Sequence, residues 1–198
     1  VRTGRSEAFS DGVLAILITI MVLELRPPDG TNLEDLRHLW PVFASYVLSF
    51  VNLGIYWNNH HHLLQATQRV NGLILWANLH LLFWLSLFPF TTSWMGEHHF
   101  AAVPVATYGV VALLAAVAYF LLQTAIVREH GLDSALAEAL GSDAKGKASP
   151  ALYLAGILLS PVSRWLGVAL YVAVSVMWLI PDRRLARVVE AAGDTTAD

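Results

Sequence analysis

Apolar runs of about twenty residues, long enough to cross about 30 Å of hydrocarbon as helices rising 1.5 Å per residue, recur along this chain and leave room for little else. Proline, glycine and charge divide the 198 residues into six such segments, near 8–25, 39–64, 72–96, 101–127, 150–164 and 166–181. Only 14% of residues are charged, against about a quarter in soluble domains, and the mean hydropathy is +0.55. The expectation is an all-α membrane protein with six transmembrane helices per chain, forming one domain over 1–198. A formal charge of −3 argues against a nucleic-acid partner. With zero cysteines there is no disulfide, thiolate or Cys-ligated metal. No small-residue cleavage pattern follows the first apolar run, which is therefore expected to be retained.

Two prolines in Arg26-Pro27-Pro28-Asp29-Gly30 end the first segment. Ser160-Pro161 separates the short fifth segment from the sixth, which points to a tight hairpin. The Lys/Arg bias places both termini in the cytoplasm. Arg2, Arg5, Arg69, Arg128, Lys145, Lys147, Arg183, Arg184 and Arg187 then lie inside, and Arg26, Arg37 and Arg164 outside. Trp40, Trp94 and Trp165 fall near the expected outer ends, as an aromatic belt would. The polar stretch 128–149 is expected to be a solvated connector with a short amphipathic helix around Ala135 to Leu140, and 182–198 a cytoplasmic tail. No internal repeat is visible, which argues against a transporter of two matched halves.

Polar side chains at membrane depth crowd into residues 1–96, the expected working half, while the helices of 101–181 are expected to form a peripheral scaffold. At about 100° per residue, Phe9, Gly12, Val13, Ile16, Thr19, Ile20 and Leu23 share one stripe of the first helix. Asp11 lies about 140° round from Ile16 and Ser10 about 120° the other way. Arg5 and Asp11, six residues apart, cannot pair along one face, so each needs a partner on another helix or subunit. The second segment offers a ridge of Ser45, Ser49, Asn52, Tyr56 and Asn59, and the third adds Asn78, His80 and Ser86. A hydrogen-bonded network joining the heads of these three helices would satisfy the buried groups.

The run Asn58 to His62 contains three adjacent histidines, but none has an i, i+4 histidine partner, so no metal site is expected there. His61, one turn after Trp57, is the histidine expected to join the network. His80 is expected to be neutral and hydrogen-bonded.

Arg5-x-x-x-Phe9-Ser10-Asp11-Gly12, running into Ile16-x-x-Thr19-Ile20-x-x-Leu23, resembles the signature that opens the transmembrane protein 175 potassium-channel family. The stretches SYVLSFVNLGIYWNNHHHLL and LWANLHLLFWLSLFPFTTSWMGE are also similar to it. The resemblance implies a potassium-favouring cation channel of a bacterial plasma membrane, with four chains about a pore lined by the first helix. No Thr-Val-Gly-Tyr-Gly filter occurs in the chain. By position, Ile16 matches the family's hydrophobic constriction, Ile20 and Leu23 its neighbouring apolar rings, and Thr19 the hydroxyl layer between them. Arg5, Ser10 and Asp11 match the motif that packs away from the pore, and Phe9, Trp57, His61 and Asn78 are expected in the same structural network; His61 and His62 sit where the family varies, which leaves open which histidine joins it. No cofactor is implied beyond permeant potassium ions. Glu24, near the outer mouth, would either concentrate cations or sit beside Arg26 as a helix-end carboxylate. The alternative from another class is a proton-coupled small-solute transporter using Asp11 and a histidine as relay. A membrane enzyme has no support, since H-E-x-x-H and G-x-S-x-G are absent.

Overall fold

The computed structural model describes residues 3–131 and 144–179, and the regular elements among them are all α-helices. The helix expected around 135–140, the tail 182–198, and Arg2, Arg183, Arg184 and Arg187 lie outside the described residues.

The first helix, α1, runs Thr3–Leu23. It ends by tightening: Glu24 N–H bonds Met21 C=O at 3.3 Å and Leu25 N–H bonds Val22 C=O at 3.1 Å before the two prolines. The connection that follows contains a six-residue helix, α2 (Leu33–His38), which the apolar segmentation could not mark because its pattern is polar. The Asp35 carboxylate accepts the Asn32 N–H at 3.0 Å, and Glu34, Asp35 and Arg37, His38 sit at the ends that suit the helix dipole. Helix α3 spans Trp40–Gln65, with Pro41 in the first turn, where a missing N–H costs nothing.

The third apolar segment is divided. Helix α4 (Gly72–Ser86) starts at Asn71, whose side chain accepts the Ile74 N–H at 3.0 Å. It gives way at Leu87 to α5 (Phe88–Glu97), because Pro89 in the first turn of α5 cannot continue the ladder. Helix α6 (Ala102–His130) is followed by α7 (Ala144–Leu159) and α8 (Arg164–Leu179). Helix α7 includes the six residues ahead of the segment edge expected at 150, with Pro150 inside it. The expected hairpin is present: Ser160 to Ser163 turn the chain, and α7 packs along α8.

Thr3–Leu23, Gly72–Glu97 and Ala102–His130 are long and apolar enough to cross a membrane, and Arg164–Leu179 is a shorter apolar helix. Helix α3 has the length, but its asparagines and histidines lower its hydropathy.

Helix α6 packs against α4, α5, α7 and α8 and forms the centre of the bundle, whereas α1 packs on α3, α4 and α5. Small residues permit the closest approaches. A Cβ on Gly96 would stand 2.8 Å from Val42 Cα, and one on Gly156 2.4 Å from the ring of the fully buried Tyr171. At the end of the bundle where α1 finishes, Phe100 is buried between Trp40 and Trp165, with ring centroids at 5.8 and 5.5 Å. His99 and Phe100 adopt φ of 51° and 57°, a left-handed pair whose cost is offset by burying the Phe100 ring.

Candidate functional site: the first helix and its anchor

Helix α1 has two faces of different character. Ser6, Ser10, Leu14, Leu17 and Met21, spaced three or four apart, are buried against α3, α4 and α5. Phe9, Ile16, Ile20 and Leu23 are exposed at 54, 57, 39 and 77%, and Gly12 and Thr19 are exposed with them. A stripe this apolar is left without a partner among the described residues.

The buried face is held by a directed chain of hydrogen bonds. Ser10 donates its hydroxyl proton to the Ser6 carbonyl at 3.0 Å, so its oxygen can only accept elsewhere. It accepts from Asn78 Nδ2 at 2.8 Å, which turns Asn78 Oδ1 toward His60 Nε2 at 2.7 Å. His60 must therefore carry its proton on Nε2 to donate into that oxygen. All three side chains are buried, on α1, α4 and α3 respectively.

Asp11, one position on, takes a separate partner: Trp57 Nε1 donates to Asp11 Oδ1 at 3.1 Å. The Trp57 ring stacks on His61 with centroids 5.8 Å apart, and His61 Nδ1 lies 2.9 Å from Glu7 Oε1. The structure thus brings Ser10 and Asn78 together, and separately Asp11, Trp57 and His61. Arg5 is exposed, with no hydrogen bond or ion pair to another described residue, and Phe9 lies on the exposed stripe rather than in the network.

Two participants were not anticipated. His60, rather than His61, bonds Asn78; it continues the buried ridge one turn after Tyr56, a phase that the adjacent histidines obscure. Glu7 lies one turn before Asp11, so the same helical period could have found it.

A second buried network crosses the bundle. Thr92 donates to Ser49 at 2.6 Å, Ser49 and Asn52 donate to the Tyr108 hydroxyl at 3.2 and 2.9 Å, and Ser175 donates to Asn52 Oδ1 at 2.9 Å. It ties α3 and α5 to α6 and α8, so the later helices carry more of the polar core than their composition suggested. His80 is exposed, and its Nε2 accepts from Trp84 Nε1 at 2.9 Å, which fixes that nitrogen as unprotonated. Glu24 accepts from Ser93 at 3.1 Å rather than pairing with Arg26.

Thr19 is turned in a way that bears on ions. Its hydroxyl donates to the Ile16 and Ala15 carbonyls at 2.9 and 3.0 Å, leaving oxygen lone pairs toward the exposed side. An open recess lined by Leu17, Ile20 and Glu24 of α1 and by Ser86, Phe90 and Trp94 adjoins the outer half of the helix, between its exposed stripe and its anchored face.

Residues 5–89 match the family model for the endosomal/lysosomal potassium channel TMEM175. A potassium channel of Chryseobacterium sp. is 52% identical over 184 residues, covering 93% of this chain and 96% of its own. The chain belongs to the TMEM175 potassium-channel family. Another potassium channel, from Chamaesiphon minutus, is 33% identical over 84% of this chain and 88% of its own. The crystal structure of a lysosomal potassium-selective channel TMEM175 homolog from Chamaesiphon minutus superposes with a TM-score of 0.78 at 29% identity, over 91% of this chain and 97% of that one. The anchor residues Ser10, His60 and Asn78, and the stripe from Phe9 to Leu23, all fall inside the matched region.

Proposed function

We propose that four copies of this chain, each crossing the membrane six times, surround a pore lined by the exposed stripe of α1 and conduct potassium passively in preference to sodium. The observation that carries this is the division of α1 into a face pinned by Ser10, Asn78 and His60 and an opposite apolar face that none of the described residues covers. Four Ile16 side chains form the narrow ring, with Ile20 and Leu23 widening toward one mouth. Apolar walls this close exclude water when narrow and pass an ion when they spread.

The Thr19 hydroxyls supply what the apolar rings lack. Because each donates its proton backward into its own helix, its oxygen offers lone pairs to a partly dehydrated cation. Discrimination follows from the cost of shedding water, which is lower for the larger ion. The Lys/Arg bias puts both termini in the cytoplasm of a bacterial plasma membrane, with Glu24 at the outer mouth.

The test is ion flux into liposomes containing the purified protein. The wild type is expected to pass potassium faster than sodium without any added substrate or proton gradient, and Ile16→Asn to pass both with less preference. Flux that requires a proton gradient or a second solute would replace the channel by the transporter.

A further inference from the structure

Beside the Ser10 anchor, Glu7 and Asp11 project from successive turns of α1 toward His61 of α3. One ligand atom from each of the three lies within 4.8 Å of the other two. We propose that Glu7, Asp11 and His61 form a binding site for a divalent transition-metal ion of the zinc class, which bridges α1 to α3.

Two carboxylates and one imidazole make a mixed oxygen and nitrogen set that suits zinc, cobalt or nickel better than magnesium or calcium. Three protein ligands leave a fourth position for water. The His61 Nδ1 atom is buried and already 2.9 Å from Glu7 Oε1. Bonds of about 2.1 Å at tetrahedral angles put ligand atoms about 3.4 Å apart, so side-chain rotations alone close the site. The charge balance points the same way. Neither carboxylate is ion-paired to a lysine or arginine among the described residues, so two negative charges one helical turn apart repel each other. A divalent cation neutralises both.

The surroundings orient the ligands. Trp57 occupies Asp11 Oδ1 and leaves Oδ2 to a metal, while its ring stacks on His61. Gln65 Nε2 lies 2.9 Å from His61 Nε2. When Nδ1 ligates a metal, Nε2 must carry the proton, and a half-turn of the Gln65 amide presents its carbonyl oxygen to accept it. The same glutamine therefore serves the free and the metal-bound ring. A bridge between α1 and α3, one position from the anchor at Ser10, restrains the helix that carries the apolar stripe. Its effect on conduction rests on the channel reading; binding itself does not.

Zinc titration calorimetry on the full chain in detergent micelles tests the site. The wild type is expected to bind one zinc ion per chain, with magnesium unable to displace it. Glu7→Gln and His61→Ala are expected to weaken that binding at least about tenfold, and Gln65→Leu by about tenfold, whereas His99→Ala, at an exposed histidine, leaves it unchanged. Cobalt absorption of the wild type gives a second readout that needs no variant: an intense visible band reports low coordination by protein ligands, and a spectrum like the hexaaqua ion overturns the proposal. Wild-type affinity retained in both Glu7→Gln and His61→Ala also overturns it, since the ions then sit on surface histidines. In liposomes, zinc is expected to slow flux in the wild type but not in Glu7→Gln; bound zinc without slowed flux refutes the restraint alone.

Discussion

Replacing Asn78 by alanine tests the anchor of α1 most severely, because Asn78 serves two neighbours of unequal need. Ser10 keeps its bond to the Ser6 carbonyl when the Asn78 amide is gone, so its loss is small. His60 is different: Nδ1 is already buried without a partner, and removing Asn78 Oδ1 strands the Nε2 proton as well. A stranded buried donor costs about 1–3 kcal/mol, whereas a polar contact between membrane helices is worth about 0.6 kcal/mol. Asn78→Ala is therefore expected to destabilise the chain by about 2–3 kcal/mol once lost packing is included. Ser10→Ala is expected to cost about 1 kcal/mol, and the pair to couple by about 0.6 kcal/mol. Asn78→Leu, which fills the space but cannot accept, separates the two contributions. Reversible unfolding in mixed micelles, followed by tryptophan fluorescence, measures all four variants. If Ser10→Ala proves as costly as Asn78→Ala, or if Asn78→Leu is neutral, the directed chain from His60 to Ser6 is not what holds the helix.

Gly96→Ala places a Cβ 2.8 Å from Val42 Cα and 2.5 Å from Ser45 Oγ, so α5 must move off α3; a loss of about 1–3 kcal/mol in the same unfolding assay is expected. Tyr108→Phe removes the acceptor shared by Ser49 and Asn52 and is expected to cost about 1–3 kcal/mol, with no change in ion preference measured by liposome flux. Thr19→Val keeps the shape of the side chain and removes its lone pairs, and is expected to bring the potassium and sodium flux rates together while leaving unfolding stability within about 0.5 kcal/mol.

The helices were legible where apolarity and punctuation agree. Six apolar segments locate the long helices because the Pro27-Pro28 pair, Gly30 and the 160–163 turn interrupt them. Helix α2 was hidden because it is one and a half turns long and four of its six residues are polar, and the break at Leu87 because Pro89 sits in a run that remains apolar on both sides. Helix α1 already includes Thr3 to Glu7, ahead of the segment edge expected at 8, since polar first turns are compatible with a helix though not with an apolar window. The stripe from Phe9 to Leu23 followed from the 3.6-residue period alone, and Phe9, Gly12, Ile16, Thr19, Ile20 and Leu23 are exposed as expected, whereas Val13 is half-buried and packs against the core. Among three consecutive histidines, the period could not decide which one faces the core until the phase set by Ser49, Asn52 and Tyr56 was known. The bond from Ser175 to Asn52, 123 positions apart in sequence, leaves no local trace.

Because the chain has no cysteine, a single introduced thiol reports on the pore without background. Leu23→Cys puts it at the open end of the stripe, and Phe120→Cys puts it on an exposed face of α6. A positively charged, thiol-specific reagent applied during potassium flux is expected to block Leu23→Cys and to leave wild type and Phe120→Cys unaffected. Complete modification of Leu23→Cys, verified by mass, with undiminished flux would mean that the exposed stripe of α1 does not line the ion's path.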